Sequence, residues 1–308
     1  MNKKILILIV TIILTLLIAT ACETAEYNTF TREDKIPEDA VKQTPESDLS
    51  PPILHSDEFE PPVPLATIST AGAEDSPFVP AESNDLYFFF TPDVSVPVEK
   101  QILDGVTGIW FSEYKDGGYQ EPTRVWLQKP DKLSGDGCEF VEGNEMLFCT
   151  VREGYTGIHW FRAEYIDDKW QNWEKEYLPE DVGELHIWED EIYYHYDDGT
   201  GSDMWMRTNV DGEWVNPTKV EAVSSSDFDG FPYITPDGNE MWFNRFYLGT
   251  PGTFRSERIN GEWQEPELIV SMFAGEPTLD KDGNLFFVHH YYDNGVMLEA
   301  DIYVAYRK

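Results

Sequence analysis

The chain has 308 residues, 58 of them acidic and 22 basic, for a formal net charge of −36. That balance repels nucleic acid and anionic lipid, and excludes both as direct partners. It suits a solubilising surface or one that meets cations, and the length allows one large domain with a core of its own.

Lys3 and Lys4 precede an apolar run from Ile5 to Ala19, which breaks at Thr20-Ala21-Cys22. A basic start, a short apolar stretch and small residues before the break predict a secretory signal over residues 1–22. The run is too short to favour a membrane span. The segment "IATAC" resembles the bacterial lipobox, which implies lipidation of Cys22 and a membrane-anchored location at the cell surface or in the periplasm. Loss of the two signal lysines leaves a charge of −38. Residues 23–56 are rich in Glu, Asp, Thr and Pro without apolar periodicity, and predict a disordered tether of roughly 30 Å. Residues 57–308 remain for folded structure.

From there one unit recurs. "FPYITPDGNEMWFNR" (231–245) is an apolar run, a Pro-Asp-Gly-Asn turn and a second apolar run, the chemistry of a β-hairpin. "SPFVPAESNDLYFFF" (76–90), "EFVEGNEMLFC" (139–149), "ELHIWEDEIYYHY" (184–196) and "EPTLDKDGNLFFVHH" (276–290) share its form. With Pro77, Glu139, Leu185, Pro232 and Pro277 taken as equivalent, the spacings are 62, 46, 47 and 45. A period in the mid-forties with several short strands per unit marks a β-propeller. A second motif, Gly-x-aromatic-x-x-Pro, recurs in "GGYQEP" (117–122), "GEWVNP" (212–217) and "GEWQEP" (261–266), each before an outer strand. "DKWQNW" (168–173) is a degenerate copy. Between the motifs lies a third strand, as in "GIHWFRAEY" and "DIYVAYR". The last unit ends at Lys308 without its outer strand, and "DEFEPPVPLATIST" (57–70) has the missing pattern. The expectation is all-β: a five-bladed β-propeller of four-stranded blades, closed by an N-terminal strand that completes the C-terminal blade.

The Pro-x-x-x-Pro-Asp-Gly-Asn-x-aromatic-aromatic motif with its Asp-Ile-Tyr-like third strand resembles the TolB-type (WD-like) propeller repeat over 57–308. That resemblance implies the fold and leaves the function open. The stretch "TPDVSVPVEKQILDG" (91–105) departs from it, and its length predicts a wall or lid.

Innermost strands line the channel of a propeller, and their starts lie beside the ends of the second strands. This brings Asp75, Ser76, Cys138, Glu139, Glu184, Phe231 and Glu276 together with Arg152, His195, Tyr196, Asn244, Arg245, His289 and His290 at one face. Tyr196, Phe231, Tyr291 and Tyr292 are the aromatics placed to stack on a sugar, and the others belong to the core between blades. His289 and His290 are adjacent, so only one faces a given site and a His-based metal site is not expected. No cofactor is required; calcium in an acidic channel is open, although no D-x-D-x-D-G loop occurs and "DDGTGSD" (197–203) reads as a turn. Pairing 142 with 145 across Gly143-Asn144 sets Cys138 opposite Cys149 and makes a disulfide sterically feasible.

The reading that needs nothing the sequence lacks is a monomeric, non-catalytic module binding a protein or carbohydrate at its top face. The alternative is a glycoside hydrolase. "EDSPF" and "GEPT" are similar to the Asp-Pro and Glu-x-Pro openings of five-bladed furanosidase-type enzymes. That resemblance implies Asp75 as base and Glu184 as acid, with Glu139 or Asp136 tuning it; Glu276 fits no role in that order. A third reading is a scaffold with a plugged channel. No G-x-S-x-G, phosphate-loop or dinucleotide motif occurs.

Overall fold

The computed structural model describes residues 30–129, 132–179, 182–197, 199 and 201–308. The expected signal, Cys22 and residues 23–29 lie outside the described residues, as do Asp198 and Thr200 of the 197–203 turn.

The chain is all-β. Two short strands come first, β1 (Ile53–Leu54) and β2 (Val63–Pro64). The first sheet holds β3 (Ala73–Phe78), β4 (Leu86–Thr91) and β5 (Gly108–Ser112). The hairpin β6 (Tyr114–Lys115)/β7 (Gly118–Tyr119) and the edge strand β8 (Thr123–Arg124) follow. β9 (Gly137–Glu142), β10 (Glu145–Thr150), β11 (His159–Ile166) and β12 (Lys169–Lys175) form the second. β13 (Leu185–Trp188), β14 (Glu191–Asp197), β15 (Ser202–Val210) and β16 (Glu213–Lys219) form the third. The fourth has β17 (Asp229–Ile234), β18 (Glu240–Tyr247), β19 (Thr250–Ile259), β20 (Glu262–Trp263) and β21 (Glu267–Ser271). The fifth, β22 (Ala274–Leu279), β23 (Leu285–Asp293) and β24 (Val296–Ala305), is joined to the first by a parallel pair of β24 with β3, Ala300 opposite Ala73, so the two run on as one eight-stranded sheet. β2 pairs antiparallel with β24, Val63 opposite Val304, so an N-terminal strand lies on the last sheet.

The turns follow their residues. In Pro236-Asp237-Gly238-Asn239, the Gly238 N–H donates to Thr235 O at 2.8 Å. The Asp237 carboxylate accepts from Asn239 N and Thr235 Oγ1. Gly238 has φ +70°, and a Cβ there would stand 2.2 Å from Trp188 Cζ2, so both conformation and space require glycine. The aromatic runs do not alternate because both faces of each sheet are covered. Tyr87 and Ile109 pack with Val141 and Phe148, Phe140 and Leu147 with Ile192 and Tyr194, and Tyr193 and Met204 with Met241 and Phe243. Tyr233 and Trp242 pack with Phe287 and Tyr303, and Phe88 and Phe90 with Phe286 and Ile302. Each such buried ring contributes about 1.5–3 kcal/mol.

The expected disorder of residues 23–56 is corrected for 31–56, which lie along the sheets. Arg32 is 2% exposed and pairs with Glu74 at 2.8 Å. Lys42 pairs with Asp301 at 2.6 Å and with Glu299. Asp48 accepts from His289 Nε2 at 2.9 Å, and β1 pairs with β21. The composition rule counts apolar surface, whereas this segment is held by charges that complement buried acids of the sheets. The 91–105 stretch is tied down by Gln101, which bonds the backbone of Asp93 and Val96. None of its residues lines the channel cavity; Val94 packs on Ala73, Val288 and Ala300, and Ile102 faces Gly135 just before β9, so the expected lid is a loop packed on the sheets.

Candidate functional site

Four innermost strands bend at equivalent places. Ser76, Cys138, Phe231 and Glu276 have φ of 47°, 54°, 55° and 53°. The register shifts there in β3, β17 and β22, and in β10 opposite Cys138. A left-handed residue of this kind costs about 1–2 kcal/mol, and the bulge re-aims its side chain out of the ladder. All four precede a proline or follow a glycine, the local signals of an interrupted strand: Ser76-Pro77, Gly137-Cys138, Gly230-Phe231-Pro232 and Gly275-Glu276-Pro277.

The side chains so aimed line one cavity of about 50 Å³, with Ser76, Cys138, Glu139, Glu184, Phe231 and Glu276 around it. Below lies an aromatic layer two residues further along in four of the five sheets, with Thr278 at that place in the fifth. Phe78 and Phe140 are 5.6 Å apart, Phe140 and His186 5.0 Å, and His186 and Tyr233 4.9 Å. These four rings close the channel beneath the carboxyls. Their signal was the two-residue strand period starting from the channel residues, and the sequence reading did not follow it to His186.

The electrostatics divide the acids. Burial works against an ionised Asp75, but the charge and hydrogen bond of His290 outweigh it and hold this carboxyl below its ordinary value. Asp75 Oδ2 and His290 Nε2 are 3.6 Å apart. Burial, then the charges of Asp75 and Glu139, push Glu184 up to about 8. Burial pushes Glu139 up to about 8 as well, and neither of its oxygens has a partner. Burial and the charges of Asp75 and Glu184 raise Glu276 well above the usual range, although Ser76 Oγ donates to its Oε2 at 2.6 Å. The site thus holds one ionised carboxylate beside a histidine, ringed by acids driven to their neutral form. Among the described residues no three His, Cys, Asp or Glu side chains are grouped to hold a metal.

Other expected residues are placed elsewhere. Arg152 is 1% exposed, pairs with Asp136 at 3.1 Å and stacks on Trp173 with Cζ 4.4 Å from the ring centre. Arg245 pairs with Asp229 at 2.6 Å. Neither faces the cavity, because each neutralises an acid of its own sheet. Asp136 is accordingly an arginine partner and not a neighbour of Glu184. His289 is buried against Asp48, so the expected His289 is replaced at the channel by His290. Tyr291 is buried and bonded to Tyr303 at 2.7 Å, so it is no platform for a ligand. Asn244 is buried beneath Gly275. Tyr196 packs edge-on to Trp205. His195 lies between Phe228 and Phe231, and burial lowers it to about 4. With Phe246 these rings form an aromatic patch at the channel end, and Tyr292 stacks on Phe273 at 4.6 Å nearby in the sequence order of the fifth sheet. Phe228 and Phe246 were not anticipated, since both lie just outside the repeat motif. Cys138 and Cys149 are joined by a disulfide with Cα atoms 5.4 Å apart. The ladder partner of Cys149 is Gly137 and not Cys138, because the bulge inserts a residue.

No family model matches the chain, and no curated protein matches it by sequence. Solved structures similar to it include TolB from Acinetobacter baumannii, with 10% identity over 78% of this chain and 55% of that one, TM-score 0.40. A putative TolB from Agrobacterium tumefaciens has 14% identity over 76% and 78%, TM-score 0.42. A thermostable family-43 glycoside hydrolase has 14% identity over 77% and 89%, TM-score 0.46. The chain thus spans about half the length of the first of these. Both resemblances noted in the sequence recur among these structures, which give no residue of this chain a role.

Proposed function

We propose that the protein is a monomeric, extracytoplasmic module that binds a protein or carbohydrate partner on the channel face and cleaves no bond. Its sheets make a five-bladed propeller in which β2 completes the last blade. The pairing of β2 with β24 and the packing of the fifth sheet on the first support closure. Cys22 carries the lipid, and the chain is tied to the sheets from Arg32 onward.

The observation that carries the reading is the size of the channel cavity. About 50 Å³ above a closed aromatic layer admits water and no sugar ring, whereas ligand pockets run to about 300–1,000 Å³. A partner therefore rests on the rim, where Phe246 and Leu248 are 43% and 88% exposed.

One observation favours the hydrolase instead: an ionised Asp75 close to a Glu184 held at about 8 is the split that acid–base pairs use. The two readings part on one experiment. A panel of aryl furanosides and xylosides is incubated with the wild-type chain and with Glu184→Gln and Glu276→Gln, and no turnover is expected from any of them. Wild-type turnover lost in either variant, with the fold intact, overturns the binding reading. In the same preparations Cys22→Ser is expected to release the chain from the membrane fraction, and retention there sinks the anchor.

A further inference from the structure

A second cavity, of about 210 Å³, lies at the opposite strand ends from Glu276, between the fifth and first sheets. Tyr114, Tyr119, Tyr306 and Phe286 form its aromatic walls, with Asp280 and Asp282 at its rim. No lysine, arginine or histidine lines it among the described residues. Asn84, also in the lining, has a shielded Oδ1 without a partner.

The chain contains its own filled copy of this place. In the fourth sheet Arg258 pairs with Trp263 in the ladder, and in the first Tyr114 pairs with Tyr119 in the same register. The equivalence extends further. Gln264 N donates to Glu257 O as Gln120 N does to Glu113 O, both at 2.9 Å. Ser256 and Ser112 each donate to the following glutamine carbonyl. Trp263 meets Tyr193 of the preceding sheet, as Tyr119 meets Phe286. At the filled place the Arg258 guanidinium stands 5.3 Å from the ring centres of both Trp188 and Trp263. It grips Glu191 with two bonds of 2.9 and 3.0 Å. At the open place Tyr114 stands where the arginine would, and what remains is aromatic faces and acceptors without a cation.

We propose that the cavity between the fifth and first sheets binds a guanidinium group, presented as an arginine side chain of a peptide or protein partner. Aromatic faces attract such a cation through their quadrupoles, and its planar donors suit the Asp282 carboxylate. The chain's negative charge draws the partner in. The site is independent of the channel and does not rest on the binding reading given above.

The test is calorimetric titration of the full chain with N-acetyl-arginine methylamide at low salt, against the neutral citrulline analogue. Arginine is expected to bind and citrulline not. Asp282→Asn and Tyr119→Leu should each weaken binding about tenfold. Tyr114→Arg, which supplies the missing side chain from within, should abolish it and leave the circular dichroism spectrum unchanged. Should that variant fail to fold, Asp282→Asn, on an exposed turn, decides alone. No wild-type binding at millimolar ligand, equal binding of citrulline, or unchanged affinity in Asp282→Asn overturns the proposal.

Discussion

Arg32→Ala tests whether the N-terminal segment is part of the folded domain. Arg32 and Glu74 are 2% and 0% exposed and 2.8 Å apart. Arg32 also lies 5.4, 5.6 and 5.8 Å from the ring centres of Phe88, Phe90 and Trp110. Removing one partner of a buried pair costs about 3–5 kcal/mol. Glu74 keeps the Thr70 N–H at 2.9 Å and Thr70 Oγ1 at 2.6 Å, which softens the loss. Burial also drives Glu74 above the ordinary carboxylate range, so it can shed its charge by taking a proton. The low end, about 3 kcal/mol, is therefore expected. With a urea m-value near 3 kcal/mol/M for a domain of this size, the unfolding midpoint should fall by about 1 M. Arg152→Ala is the matched control, because Arg152 lies over Phe148 and Phe161 within its own sheet much as Arg32 lies over Phe88 and Trp110 from outside. A midpoint shift under about 0.2 M for Arg32→Ala, with a full shift for Arg152→Ala, would refute the reasoning that the segment is integral.

Two further outcomes follow from the site. Glu139 has a folded value near 8 against an ordinary 4.5, so the stability it contributes is intact below about pH 4.5 and lost as pH rises toward 8. Glu139→Gln should therefore match the wild type at pH 4.5 and exceed it by about 4 kcal/mol at pH 8 in urea unfolding, at about 1.4 kcal/mol for each pH unit between the folded and ordinary values. Equal gains at both pH values would show that ionisation is not the cause. Cys138 and Cys149 are 11 residues apart, and closing so short a loop is worth about 3 kcal/mol of unfolded-chain entropy. The double variant Cys138→Ser/Cys149→Ser should lose about that much stability, while a loss below about 1 kcal/mol would show that the bond only decorates a hairpin held by its ladder.

The repeat was legible because its signals are local. A Pro-Asp-Gly-Asn turn closes a hairpin wherever it stands, and an aromatic run after it forms a strand covered on both faces. The recurring period by itself places Glu139, Glu184, Phe231 and Glu276 around one channel, where they line the same cavity. What local chemistry does not contain is which long-range partner each charge finds. Glu74, Glu299 and Asp301 are buried acids whose cations come from residues 32 and 42, far away in the chain. A composition that cannot build a core on its own can still be ordered by such partners, and only the tertiary structure decided that. The same holds for Arg152 and Arg245, drawn to Asp136 and Asp229 and away from the channel. A single bulge likewise shifted the partner of Cys149 by one residue, since a strand's pairing depends on every residue its neighbour inserts. The choice of His290 over His289 was left open by the two-residue period, and the burial of His289 against Asp48 settled it.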